Sequence, residues 1–175
     1  ISAILSIIVF WNGIQKSNYD NYQIIEWISS GNFVANWSIN VDPLSSVMLV
    51  VVTFVSALVH IYSIGYMSHD PHKPRFMSYL SLFTFSMLVL VASDNFLQLF
   101  FGWEGVGLCS YLLIGFWYKK ETANNAAIKA FLVNRVGDFG LALGVFLIFY
   151  YFGTVNFDVV FKQIPQIDKT SVNFL

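Results

Sequence analysis

Charge is scarce in this chain of 175 residues: 11% of them are charged, whereas 57% are hydrophobic and 18% are aromatic. Soluble globular proteins carry about 25% charged residues, so this composition indicates an integral membrane protein. The net charge of −1 gives no electrostatic footprint for nucleic acid. The sequence also lacks a basic run and a glycine-rich phosphate loop, so we expect no nucleic acid or nucleotide to bind here.

Cysteine is also nearly absent, with Cys109 as the single example. One cysteine excludes an internal disulfide, a cysteine-ligated iron–sulfur cluster and a structural zinc site of the usual ligand number. We therefore expect no cofactor on this chain and place any redox chemistry on other chains. The sequence starts at Ile1 rather than at a methionine, and we expect it to be a fragment or one piece of a split protein.

Long apolar stretches dominate what is present. Four of them are long enough to cross a bilayer as α-helices, at about 44–64, 76–92, 96–117 and 126–152. Residues 1–11 have the character of the end of another transmembrane helix. Asp42 and Pro43 are typical of an N-cap followed by proline at the first helical position. The turn at Asp94 and Asn95 should cap the third span, most simply through Asp94.

The segment 12–42 is polar enough to lie outside the membrane. Apolar and other residues alternate strictly from Phe33 to Val41, which indicates a strand, and residues 29–32 can turn a β-hairpin. We therefore predict an all-α integral membrane protein, with about four complete transmembrane helices within 43–153, the end of another helix and a short extramembrane hairpin.

Basic residues orient these helices. Lys73, Arg75, Lys119 and Lys120 lie in two loops that alternate with acidic segments. The positive-inside rule places these two loops in the cytoplasm or the mitochondrial matrix. The hairpin, the Asp94 turn and the tail 154–175 should lie on the opposite side.

Glu104 is the most informative residue, because it lies inside the third apolar span. A charge at the centre of a bilayer costs at least ~2.5 kcal/mol, so an ionisable group at that depth indicates a functional site. Glu104 has no charged partner at helical spacing in its own span, so another helix, water or a bound proton must compensate it. A nearby cation favours the ionised carboxylate and burial favours the neutral acid. A cation that moves would therefore make Glu104 bind or release a proton, as in a proton relay.

The fourth span carries Arg135 and Asp138, which are three residues apart and can pair. They share a helical face with Phe131 and Ala142, while the opposite face is small, with Gly137, Gly140 and Gly144. The small face suits close helix packing. A structural ion pair that locks helices together is about as well supported as a functional role for these two charges.

Two further residues are weaker candidates for a proton path. Lys129 is the only lysine within the spans, but it lies near the basic-loop end of its helix and can extend to the interface instead. His60 can be part of a relay or a hydrogen-bonded residue near a helix end.

The motifs around these residues resemble a known family. The run Phe101-Gly-Trp-Glu-Gly-Val-Gly-Leu-Cys-Ser-Tyr-Leu-Leu-Ile-Gly-Phe116, with Ala127-Ile-Lys-Ala-Phe-Leu-Val-Asn-Arg-Val-Gly-Asp138, is similar to subunit 5 of respiratory complex I, the proton-translocating NADH:ubiquinone oxidoreductase. The runs Val41-Asp-Pro-Leu-Ser45 and His60-Ile-Tyr-Ser63 agree with it. The resemblance implies an antiporter-like inverted-repeat fold larger than this chain, with Glu104 in the proton channel, Arg135 and Asp138 in support, and His60 less certain.

The resemblance also implies partners. NADH, FMN, iron–sulfur clusters and ubiquinone would belong to other subunits, and a neighbouring antiporter-like subunit would contact this chain in the mitochondrial inner membrane or a bacterial plasma membrane. The family's lysine that partners this glutamate lies on a later helix, so Lys129 does not take that role. The alternatives are a subunit of a multisubunit sodium/proton antiporter and a scaffold fragment that conducts nothing.

Overall fold

The structure is a computed structural model that describes residues 1–16, 21–31 and 33–164. This part contains six α-helices and one β-hairpin. The helices and strands, in chain order, are α1 (Ser2–Lys16), β1 (Asn21–Ser30), β2 (Phe33–Asn40), α2 (Pro43–Tyr66), α3 (Lys73–Val91), α4 (Phe96–Ile114), α5 (Glu121–Phe152) and α6 (Phe157–Gln163).

The four helices α2 to α5 are each long and apolar enough to cross a membrane, with mean hydropathy between 1.4 and 2.3. Each helix from α1 to α4 packs against the next one in the chain. These helices and the hairpin confirm the predicted fold class. Most large apolar side chains of the bundle are exposed, as expected for surfaces that face lipid or other helices.

Helix ends follow local capping chemistry. At the start of α2, Asp42 Oδ1 accepts a hydrogen bond from the Ser45 amide at 2.5 Å, and Ser45 Oγ accepts one from the Asp42 amide at 2.7 Å. Pro43 occupies the first turn, where its missing N–H costs nothing. The sequence placed the end of the third span at Trp117, whereas α4 ends at Ile114. The helix α5 begins at Glu121, five residues before the predicted start.

The prediction that Asp94 caps α4 was wrong. Asn95 is the N-cap, and its Oδ1 accepts a hydrogen bond from the Gln98 amide at 2.8 Å. Asp94 is buried instead, and its Oδ2 accepts a hydrogen bond from Asn156 Nδ2 at 3.0 Å. Asp94 therefore connects the start of α4 to the segment before α6.

The β-hairpin is antiparallel, and Gly31 lies in its turn with φ of 57°, in the left-handed region that favours glycine. Asn32, which we placed in the same turn, lies outside the described residues. The strict alternation predicted for β2 is interrupted, because Ser38 is buried while Ile39 is exposed. Register shifts in β1 accompany this interruption.

The hairpin is held on the end of α4 by polar contacts. The buried Gln98 side chain accepts a hydrogen bond from the Ser38 amide at 3.0 Å and donates one to the Ser38 carbonyl at 2.8 Å. The Asn40 amide donates to the Ala92 carbonyl at 2.9 Å. Beside these bonds, Ala35 packs with Val145 and Val155 in a small apolar core. The hairpin therefore covers the end of the bundle where α4 begins and α5 ends.

Candidate functional site

Four polar or charged side chains meet between α4 and α5 at mid-length of both helices. The helix α4 contributes Trp103 and Glu104, and α5 contributes Arg135 and Asp138. The two helices pack against each other along this region. The structure thus brings together three of the five residues predicted from the sequence, and it adds Trp103. These four residues are called the α4–α5 cluster below.

Arg135 lies between two carboxylates. Its Nη1 donates to Glu104 Oε2 across the helix interface, and the same nitrogen lies 3.5 Å from Asp138 Oδ2 on its own helix. The guanidinium carbon also lies 4.7 Å from the centre of the Phe131 ring, within the range of a cation–π interaction. Glu104 therefore takes its compensating charge from another helix. The contact of Arg135 with Glu104 is shorter than its contact with Asp138.

Asp138 is fixed by a second donor. The indole Nε1 of Trp103 donates to Asp138 Oδ1 at 2.7 Å, while Oδ2 faces Arg135. The side chain of Asp138 is 7% exposed, whereas those of Glu104 and Arg135 are 24% and 46% exposed. Asp138 is thus the anchored member of the cluster and Arg135 is the one with room to move.

The cluster does not balance its own charge. With both carboxylates ionised, one cation and two anions leave a net charge of −1 between membrane-spanning helices. A net charge in this position is costly, so a further cation, water or a bound proton must compensate it. The neighbouring side chains of α5 beside Arg135, Leu132 and Val136, are exposed in this chain. The described residues therefore leave this side of α5 uncovered next to the cluster.

His60 belongs to a separate network between α2 and α3. Its Nδ1 lies 2.7 Å from the Ser56 carbonyl oxygen, and its Nε2 lies 3.2 Å from Ser81 Oγ. Because a carbonyl oxygen can only accept, Nδ1 of the neutral ring carries the proton and Nε2 accepts from the Ser81 hydroxyl. The Ser56 hydroxyl lies 2.7 Å from Thr84 Oγ1. This network links two helices and includes no member of the α4–α5 cluster.

Lys129 is exposed near the start of α5, outside the α4–α5 cluster. No ion pair or hydrogen bond within the described residues involves its ammonium group. The glycine face of α5 is open as well. A Cβ added at Gly137, Gly140 or Gly144 would meet no atom within 4 Å, so the close packing expected for this face does not occur within the described part of the chain.

Sequence reasoning missed Trp103 as a member of the cluster. Its partner lies 35 residues away on another helix, so no local spacing connects the two. The usable signal was chemical: an indole N–H inside an apolar span needs an acceptor, and the nearby spans offer few.

Two family models match this chain. The model described as NADH-Ubiquinone oxidoreductase (complex I), chain 5 N-terminus, matches residues 27–77. The model described as NADH:quinone oxidoreductase/Mrp antiporter, TM, matches residues 93–175. The second match contains the whole α4–α5 cluster.

Similar proteins have matching names. NADH-ubiquinone oxidoreductase chain 5 of Chondrus crispus is 53% identical over 100% of this chain and 26% of its own length. The chain 5 of Triticum aestivum is 61% identical over 91% of this chain and 24% of its own. NADH-quinone oxidoreductase subunit L of Rickettsia felis is 53% identical over 98% of this chain and 27% of its own. This chain thus spans about a quarter of the length of these relatives.

The fold is also similar to a solved structure. The Mrp complex from Dietzia sp. DQ12-45-1b matches 97% of this chain and 19% of its own chain, with a TM-score of 0.72 and 22% sequence identity. At this identity the match supports the fold alone. Because the two family models and relatives more than half identical over nearly all of this chain agree, the chain belongs to the family of complex I chain 5, named subunit L in bacteria.

Proposed function

We propose that this chain is part of a membrane subunit of a proton-translocating NADH:quinone oxidoreductase, in which the α4–α5 cluster transfers protons. The observation that carries the proposal is Arg135, one guanidinium shared by two carboxylates from different helices. The names of the relatives supply the enzyme class. The cluster supplies the part of the chemistry that this chain can perform.

The elementary step is a change of partner by Arg135. When the guanidinium contacts Glu104, the carboxylate of Glu104 is compensated and stays ionised. When the guanidinium moves to Asp138, Glu104 loses that compensation and binds a proton from water or a neighbouring group. The return of Arg135 releases this proton. Trp103 holds Asp138 in place as the alternative partner towards which the guanidinium moves in this proposal.

The direction of transfer is from the basic-loop side to the acidic side. Each charge that crosses the membrane against its potential costs about 2.3 kcal/mol per 100 mV, so the step needs an energy source. NADH oxidation through FMN and iron–sulfur clusters, and ubiquinone reduction, belong to partner subunits. A neighbouring antiporter-like subunit contacts this one in the mitochondrial inner membrane, with the bacterial plasma membrane as the alternative.

A sodium/proton antiporter subunit is the second candidate, since the description of one matching family model also names the Mrp antiporter. A native gel of mild-detergent membranes, stained for NADH dehydrogenase activity, separates the two. The peptides of this chain should comigrate with the active band. Their exclusive presence in an inactive complex would support the antiporter, or a scaffold that conducts nothing.

The cluster is tested by Glu104→Gln in the whole complex. Glutamine keeps a hydrogen-bonding oxygen for Arg135 but cannot release a proton. We expect proton pumping per unit time to fall at least about tenfold, equivalent to 1.4 kcal/mol on the barrier. Glu121→Gln is the matched control, because Glu121 lies in the exposed first turn of α5. Normal pumping in assembled Glu104→Gln complex would remove Glu104 from the path.

A further inference from the structure

A polar cavity lies at the basic-loop end of the bundle, away from the α4–α5 cluster. It has a volume of about 400 Å³, within the range of small-molecule sites. It lies where α3 begins, α4 ends and α5 begins. Its polar lining consists of Arg75, Tyr79, Tyr111, Tyr118 and Asn124. We call it the Arg75 cavity.

Arg75 is held in place by part of its guanidinium, which keeps further N–H donors. Its Nη2 donates to the Phe116 carbonyl at 3.0 Å, and its guanidinium carbon lies 4.7 Å from the Phe116 ring centre and 5.3 Å from that of Tyr118. Its Nε is buried and has no hydrogen-bond partner among the described residues. A buried N–H without an acceptor is costly, so the described residues satisfy the guanidinium of Arg75 only in part.

The tyrosine hydroxyls are also free. Within the described residues, no hydrogen bond involves the hydroxyl of Tyr79, Tyr111 or Tyr118, whereas the Asn124 amide donates to the Tyr118 carbonyl at 2.6 Å. Ring contacts fix two of these tyrosines: Tyr79 packs on Phe116, and Tyr111 on Phe131. One guanidinium and three hydroxyls around one cavity form a set of donors suited to a phosphate group.

The charge around the cavity favours an anion. Lys119 and Lys120 directly follow the lining residue Tyr118 in the sequence. The acidic residues at this end of the bundle are Asp70 and Glu121, the first residue of α5. Hydrogen bonds from the His72 amide and from the Trp117 indole hold the pKa of Asp70 below the ordinary value, so Asp70 keeps its negative charge. The basic residues at this end of the bundle still outnumber the acidic ones. Lys73 donates to the Ile64 carbonyl at 3.0 Å and is less available.

The remaining walls indicate a lipid rather than a soluble anion. Leu112, Ala127 and Ile128 line the cavity beside its polar residues, and Ile128 is exposed on the side of α5. An acyl chain can therefore continue along the helices from a headgroup at the cavity. We propose that the Arg75 cavity binds the phosphate of an anionic phospholipid from the leaflet on the basic-loop side. This proposal rests on the membrane placement of the helices and not on proton transfer.

The test measures lipid retained by the purified whole complex. Native mass spectrometry and lipid extraction should find one anionic phospholipid fewer per copy in Arg75→Gln than in the unsubstituted protein. Lys162→Gln removes the same charge from the exposed surface of α6, outside the cavity, and should keep that lipid. Loss of the lipid in both variants, or in neither, would overturn the proposal.

A second variant covers the case in which Arg75→Gln does not assemble. The double substitution Tyr79→Phe with Tyr111→Phe keeps the rings and Arg75 and removes two hydroxyls. In delipidated complex, phosphatidylglycerol vesicles should raise the thermal midpoint, and this variant should need several-fold more lipid for the same rise. Phosphatidylcholine vesicles and inorganic phosphate should have little effect. An equal rise with inorganic phosphate would show a soluble-anion site, and unchanged lipid dependence in the variant would overturn the proposal.

Discussion

Gly102 allows a close approach between the backbones of α3 and α4, and its substitution should separate these helices. A Cβ placed on Gly102 would lie 2.7 Å from both the Cα and the N of Leu90, and 2.8 Å from its Cβ. Favourable contacts between carbon atoms lie at about 3.5–4.0 Å, so the helices would have to move apart by about 1 Å. Two of the three contacted atoms belong to the backbone, so a change of rotamer cannot relieve the overlap.

The expected magnitude follows from two opposing terms. Overpacking of this kind costs about 1–3 kcal/mol, and contact with backbone favours the upper half of that range. Alanine gains up to about 1 kcal/mol over glycine in a helix interior. Gly102→Ala should therefore lower the free energy of unfolding by about 1–2 kcal/mol. Gly107→Ala, on the same helix, meets no atom within 4 Å and should be neutral or slightly stabilising.

Equilibrium unfolding in mixed detergent micelles, with the whole subunit, measures this difference. The comparison cancels the propensity term, because both variants replace a helical glycine of α4 by alanine. Gly102→Ala should unfold at lower denaturant than Gly107→Ala. Equal midpoints for the two variants would show that contact with Leu90 does not limit the packing of α3 on α4.

Two further predictions concern polar contacts of α4. Trp103→Phe removes the donor 2.7 Å from Asp138 and should draw Arg135 towards Asp138. We expect coupled proton pumping to fall by about tenfold. Trp117→Phe removes an indole that bonds Asp70 outside the cluster, and should leave pumping unchanged. Gln98→Leu removes the partner that Gln98 gives to the Ser38 amide and carbonyl, and should release the hairpin at a cost of about 2 kcal/mol. The release should appear as faster proteolysis of β2. Ser38→Ala keeps both backbone bonds and should leave the rate of proteolysis unchanged.

The fold was largely predictable because its signals are local. Apolar length gives the four spans, and Asp42 with Pro43 marks the start of α2. The cap of α4 was assigned to Asp94 because sequence alone does not distinguish two adjacent capping residues. In the structure Asn95 caps α4, while Asp94 bonds Asn156, which lies 62 residues further along the chain. A long-range partner therefore decided a local feature.

The site was only partly predictable for the same reason. The pairing of Arg135 with Asp138 follows from their helical spacing. The contact between Arg135 and Glu104 spans 31 residues, and only the packing of α4 on α5 brings the two together. The sequence could state that Glu104 needed compensation from another helix, from water or from a bound proton. It could not decide among these three, because the packing of α4 on α5 is not a local signal.

The contacts between successive helices indicate where motion is confined. At the α1–α2 interface the hydroxyls of Ser6 and Thr53 lie 2.7 Å apart, and at the α3–α4 interface Ser86 Oγ lies 3.9 Å from Cys109 Sγ. Such neutral contacts carry no net charge between the helices. Among the described residues, ion pairs occur only within the α4–α5 cluster. A shift of Arg135 would therefore change the charge balance of α4 and α5 without breaking an ion pair elsewhere in the described part of the chain, as the proposed proton transfer requires.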